Sequence, residues 1–214
     1  MPNELMREQW SKHGGPAWVD HHDLFERIYA PFNEAAVGAL GPLGGLTTLD
    51  VGCGTGSLCQ CVVERGGAAV GVDISDTMIA GARELVPAAR FEVADAQVDR
   101  LADFAPGGFD RVSSRFGVMF FDDSVAAFAN IRAATKPDGR MSFVCWRSLA
   151  ENLTFSNGTR VLVERMPEPP APAGPGGAAG SARARPAPVG GGRPAEARRG
   201  TGPDRLARRA SPAP

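Results

Sequence analysis

The chain has 214 residues with 27 Gly, 18 Pro and a formal net charge of −1, room for one or two domains. Residues 1–160 carry 14 basic and 20 acidic side chains, whereas residues 161–214 carry 9 and 4. An acidic body lacks the clustered basic footprint of a nucleic-acid-binding surface, and no apolar run approaches the ~20 residues of a membrane span. Neither nucleic acid nor membrane is an expected partner. The polar start Met1-Pro2-Asn3-Glu4 has no apolar signal core, so the expected compartment is the cytoplasm. Cys53, Cys59, Cys61 and Cys145 are too few and too irregular for a disulfide framework or a zinc set. They read as reduced small hydrophobes, and no metal site is expected.

Residues 1–45 read as amphipathic helices, with Trp10 and Trp18 either side of a break at Gly14-Gly15-Pro16. Asp20 is placed to cap a helix carrying Leu24, Phe25, Ile28 and Tyr29 toward Pro31. A second helix carries Phe32, Ala36, Val37 and Leu40 up to Gly41-Pro42. His13, His21 and His22 read as surface or helix-start residues, because His21-His22-Asp23 cannot share one helical face.

The pattern then changes to short apolar runs alternating with helical stretches. Strands are expected at Leu46–Val51, Ala68–Val72, Arg90–Ala94, Phe109–Ser113 and Arg140–Trp146. Helices are expected at Ser57–Arg65, Thr77–Leu85 and Asp123–Thr135, the last with Val125, Phe128, Ala129 and Ile131 on its apolar side. Lys136-Pro137-Asp138-Gly139 turns the chain into the fifth strand. Such alternation implies an α/β fold, a doubly wound, mostly parallel sheet with helices on both faces.

The most informative segment is Asp50-Val51-Gly52-Cys53-Gly54-Thr55-Gly56, where the first strand hands over to the first sheet-covering helix. Glycines there admit a ligand close to the backbone, and the helix N-terminus favours an anionic group. A dinucleotide fingerprint, G-x-G-x-x-G, needs its third glycine at position 57, which is Ser. That spacing disfavours NAD. Carboxylates follow at strand ends, in Val72-Asp73-Ile74 and in Ala94-Asp95-Ala96. A carboxylate at a strand end can accept two hydrogen bonds from a cis-diol.

This ordered set resembles the class I S-adenosylmethionine-dependent methyltransferases, whose first motif reads D-x-G-x-G-x-G; the likeness spans residues 5 to 155. It implies a Rossmann-like domain over residues 46–155, with the helical segment 1–45 covering the cofactor site. S-adenosylmethionine would then be held by Asp50, Gly52, Cys53, Gly54, Thr55 and Gly56, with Asp73 and Ile74 at the ribose. Asp95 and Ala96 would meet the adenine, and Arg115, in Ser114-Arg115-Phe116-Gly117, would sit beside the methionine part. The implied reaction is methyl transfer to a small-molecule acceptor, and the alternative is a non-catalytic cofactor-binding remnant without a complete acceptor site. Trp10, Trp18, Tyr29 and Phe116 are candidates for aromatic faces near the sulfonium. Ser113-Ser114-Arg115-Phe116 lacks the N-P-P-Y of amine-methylating relatives, and no general base is assigned. The Phe116-Gly117 pair is similar to quinone-biosynthesis C-methyltransferases.

Beyond Phe155 no aromatic occurs, and 37 of the 44 residues from Ala171 to Pro214 are Ala, Gly, Pro or Arg. A segment so poor in large apolar side chains is expected to be disordered, here over residues 161–214. With 21 Arg against 2 Lys, the gene reads as GC-rich. Two readings fit the tail: a reading frame that shifts after about residue 155, or a disordered tail on a shortened domain.

Overall fold

The computed structural model describes residues 2–148, 151, 152 and 165; the expectations for the tail lie outside these, Arg165 apart. The N-terminal part is helical: α1 (Glu4–Glu8), a π-helical turn (Gln9–His13), α2 (Gly14–Asp20) and α3 (His22–Gly38). The expected break at Gly14-Gly15-Pro16 does not occur. Pro16 falls in the first turn of α2, where its missing N–H costs little. Gly15 lets the chain close up, since a Cβ there would lie 1.8 Å from the Trp10 carbonyl oxygen. The interruption comes at His21 instead, so Asp20 ends α2 rather than capping α3. The two helices expected on either side of Pro31 are one, with Pro31 inside α3.

The alternating part follows the expected order. It runs β1 (Thr47–Val51), α4 (Ser57–Glu64), β2 (Ala68–Asp73), α5 (Asp76–Leu85) and β3 (Arg90–Val93). Then come β4 (Phe109–Arg115), α6 (Ser124–Ala134) and β5 (Thr135–Val144). Side-chain caps fix two of the helices. Ser75 accepts from the Met78 N–H at the start of α5, and Asp123 from Val125 and Ala126 at the start of α6. The five strands are all parallel, in the order β3-β2-β1-β4-β5. β5 begins earlier than expected and ends at Val144; Lys136–Gly139 bulges out between the Phe109–Thr135 and Arg111–Arg140 pairs.

The central strands β1 and β2 are buried on both faces, as expected inside a parallel sheet, whereas the edge strand β5 is only partly covered. One core cluster joins Val37, Leu40, Leu58, Val62, Ile79 and Phe91; the other joins Leu49, Val51, Val72, Phe109, Val112 and Ile131. α3, α4 and α5 contribute to the first and α6 to the second. On α6 the buried positions are Ala127, Ile131 and Ala134, while Val125, expected on the apolar side, is 81% exposed. The strand order reverses between β1 and β4. Such a switch point opens a crevice at the carboxyl ends of the strands, where ligands of this architecture bind.

Candidate functional site

At that switch point two loops meet through glycine. Gly52 has φ +66°, and a Cβ on it would lie 2.6 Å from Gly117 Cα. Gly117 in turn sits so close to Val51 that a Cβ would be 2.5 Å from the Val51 carbonyl oxygen. The neighbouring Phe116 holds φ 67°, a left-handed conformation costly for an aromatic residue. This tight junction sets the floor of a pocket. Gly54, at φ +55°, has no atom within 4 Å of where its Cβ would stand. Its missing side chain leaves open space facing the pocket it lines.

Asp50, Gly52, Cys53, Gly54, Asp73, Ile74, Asp95, Ala96 and Arg115, nine of the eleven expected residues, line this one pocket. Thr55 and Gly56 are not among its lining residues. Thr55 is buried with its Oγ1 3.0 Å from His22 Nδ1. Gly56 caps α4 at φ +89°, where a Cβ would meet the Phe91 ring at 2.8 Å. Its glycine is required by packing.

Asp73 closes β2 with its carboxylate fixed from two sides. Oδ2 accepts the Gly54 N–H at 2.9 Å and Oδ1 accepts the Ser75 N–H at 2.9 Å. Each oxygen keeps a second lone-pair site for a ligand. Burial raises the Asp73 pKa, opposed by the backbone N–H groups of Ser75, Gly54 and Ile74. Asp50 lies deeper, and burial pushes its pKa up to about 7, against the lowering influence of Arg115, Ser113 and Cys59. Ser113 Oγ donates to Asp50 Oδ1 at 3.3 Å, and Cys59 Sγ to Oδ2 at 3.7 Å. Burial also raises the Cys53 and Cys59 thiols, which stay neutral and small as expected.

Arg115 is not a free cation. Its guanidinium donates to Asn33 Oδ1 at 2.7 Å and to Glu26 Oε1 at 3.3 Å, and lies 5.4 Å from the Tyr29 ring centre. Glu26 Oε1 also accepts from Ser57 Oγ. α3 is thereby strapped over the start of α4 by a partly buried ion pair, whose arginine side chain is 8% exposed. Sequence reasoning missed Glu26 and Asn33, because nothing in a helical repeat marks which polar residue faces inward.

Part of the pocket wall is aromatic. Trp10, Trp18, Phe116, Phe120 and Phe121 line it, and Tyr29 stands behind Phe116 at 5.6 Å between ring centres. Trp146 stacks on Phe116 at 4.4 Å. Asn3 and Met6 reach the pocket from the N-terminal segment, which no local sequence signal announced. Among the described residues no group of three His, Cys, Asp or Glu could hold a metal ion, and no helix is long and apolar enough to cross a membrane.

A parallel sheet in this order, a glycine loop after β1 and carboxylates after β2 and β3 form one site. Residues 49–143 match the family model of a methyltransferase domain. Over that stretch the chain is similar to methyltransferase domains. The ubiquinone biosynthesis O-methyltransferase of Methylococcus capsulatus is 29% identical to it over 155 residues, covering 70% of this chain and 65% of that one. The demethylmenaquinone methyltransferase of Beutenbergia cavernae is 33% identical over 110 residues, covering 51% and 45%. A SAM-dependent methyltransferase structure from Aquifex aeolicus superposes at a TM-score of 0.52 with 17% identity, over 62% of this chain and 73% of that one, a likeness of fold. The chain spans about half to two thirds of the length of the curated relatives it matches.

Proposed function

We propose that the protein is an S-adenosylmethionine-dependent methyltransferase acting on a small-molecule acceptor. The observation that carries the reading is the Asp73 carboxylate, pinned by the Gly54 and Ser75 N–H groups at the mouth of a glycine loop that leaves open space above Gly54. The donor set suits an adenosine. Asp73 would accept from the two ribose hydroxyls, and Asp95 from the purine amine with Ala96 beside it. Gly52 to Gly54 would pass the methionine portion toward Asp50 and Arg115.

When bound, S-adenosylmethionine supplies an electrophilic methyl on a sulfonium. The chain's own part is to position and to desolvate, which can account for much of the rate of an in-line transfer. Trp10, Trp18, Phe116 and Phe120 present ring faces and edges that exclude water and orient a flat acceptor. Relatives named for ubiquinone and menaquinone biosynthesis, taken with this wall, support a ring-bearing acceptor. The test is a screen of phenolic and quinol acceptors with methyl-labelled cofactor. Label appearing in a small-molecule product is the expected result. Cofactor binding with no transfer to any acceptor would reduce the chain to a binding module.

A further inference from the structure

We propose that residues 2–8 form a displaceable strap in which the Asn3 side-chain amide occupies the position on Asp95 that the purine amine would take. The inference rests on the cofactor reading of Asp95 given above. Asn3 is 2% exposed and lies in the left-handed region at φ 56°. Its Nδ2 donates to both Asp95 carboxylate oxygens at 2.9 Å and to Gln97 Oε1 at 3.2 Å. Its Oδ1 accepts from the Asp122 N–H at 2.8 Å, and its own N–H donates to Asp122 Oδ2 at 2.6 Å. An amide NH₂ and a purine 6-amino group are both planar two-proton donors. Asp95 cannot give both the same place.

Position sets the competition. Asn3 and Met6 both line the pocket, whose cavity of about 120 Å³ is smaller than the roughly 300–1,000 Å³ of small-molecule sites. The strap is built to leave. α1 buries none of its residues, and Leu5 is 78% exposed, so few apolar contacts hold it down. Beyond Asn3, Arg7 donates to the Ile74 carbonyl at 3.1 Å, while its buried Nε has no partner. The change from α1 to the π-helical turn at Glu8–Gln9 is a local geometry suited to a hinge. Just beyond it, Ser75 Oγ and Thr77 Oγ1 donate to the Trp10 and Ser11 carbonyls at 2.9 and 2.8 Å, fixing where the strap ends.

A closed strap lowers apparent affinity by the fraction of chains that are open. Asn3→Ala removes the competing amide, and its affinity for S-adenosylhomocysteine should rise about tenfold, the factor for one hydrogen bond to a charged group. Calorimetry on the full chain reads this directly. Hydrogen exchange supplies a measurement on the wild type that needs no variant: amides of residues 4–8 should exchange faster once S-adenosylhomocysteine is bound. Wild-type binding with Asn3→Ala equal or weaker, or ligand-induced protection of residues 4–8, overturns the strap and leaves the cofactor reading standing. Absence of binding by both chains overturns the two together.

Discussion

Replacing Asp73 by Ala should cost more than any other single change at the ligand side of the pocket. Its two oxygens each retain a lone-pair site after accepting the Gly54 and Ser75 N–H groups. Hydrogen bonds to a charged carboxylate contribute about 1.5–3 kcal/mol each, so two ribose hydroxyls amount to ~3–6 kcal/mol. That range corresponds to a loss of ~10²- to 10⁴-fold in affinity. The alanine also strips the Gly54 N–H of its partner and loosens the loop, so Asp73→Asn serves as the companion. The amide keeps the volume and one acceptor oxygen but not the charge, and should bind about tenfold weaker or worse. Calorimetry with S-adenosylhomocysteine gives the affinities, and thermal melting shows whether the fold survives. A folded Asp73→Ala protein that binds within about threefold of wild type would refute the assignment, since even one charged hydrogen bond exceeds that factor.

Gly54→Val should keep the fold and lose ligand, because the new side chain enters open pocket space at a φ of +55° that a β-branched residue tolerates poorly; normal binding would show that the loop does not face the cofactor. Asp50, raised by burial from 3.8 to about 7, binds its proton more tightly folded than unfolded. Its contribution to stability is therefore complete below about pH 4 and is lost as pH rises through 7, a span of ~4 kcal/mol. Asp50→Asn should flatten the stability-against-pH curve in that window, and an unchanged curve would contradict the buried proton. Glu26→Gln should leave Arg115, 8% exposed, with its Asn33 bond and the nearby Asp50 but without its ion-pair partner, costing about 3 kcal/mol by chemical denaturation; a variant as stable as wild type would mean that α3 is held by packing alone.

The sheet was legible because β1 and β2 carry short apolar runs closed by glycine or carboxylate, with Leu49, Val51, Val70 and Val72 sharing one buried face. The pocket was legible for the same local reason: Gly52, Gly54, Asp73 and Asp95 stand at strand ends, where topology alone brings them together. Contacts made across the chain were not legible. Asn3 meets Asp95, Arg115 meets Glu26, and Thr55 turns to His22, each through tertiary placement that no spacing encodes. Gly14-Gly15-Pro16 misled because a break and a close helical approach require the same residues. Only the 1.8 Å separation between a notional Gly15 Cβ and the Trp10 carbonyl tells them apart.

The central claim is that the crevice between β1 and β4 takes S-adenosylmethionine and not a dinucleotide. Calorimetric titration of one preparation of the full chain with S-adenosylhomocysteine and, separately, with NAD tests it most directly. Saturable binding of S-adenosylhomocysteine, abolished by Gly54→Val, and no heat from NAD are the expected results. Saturable NAD binding with no response to S-adenosylhomocysteine would contradict the claim.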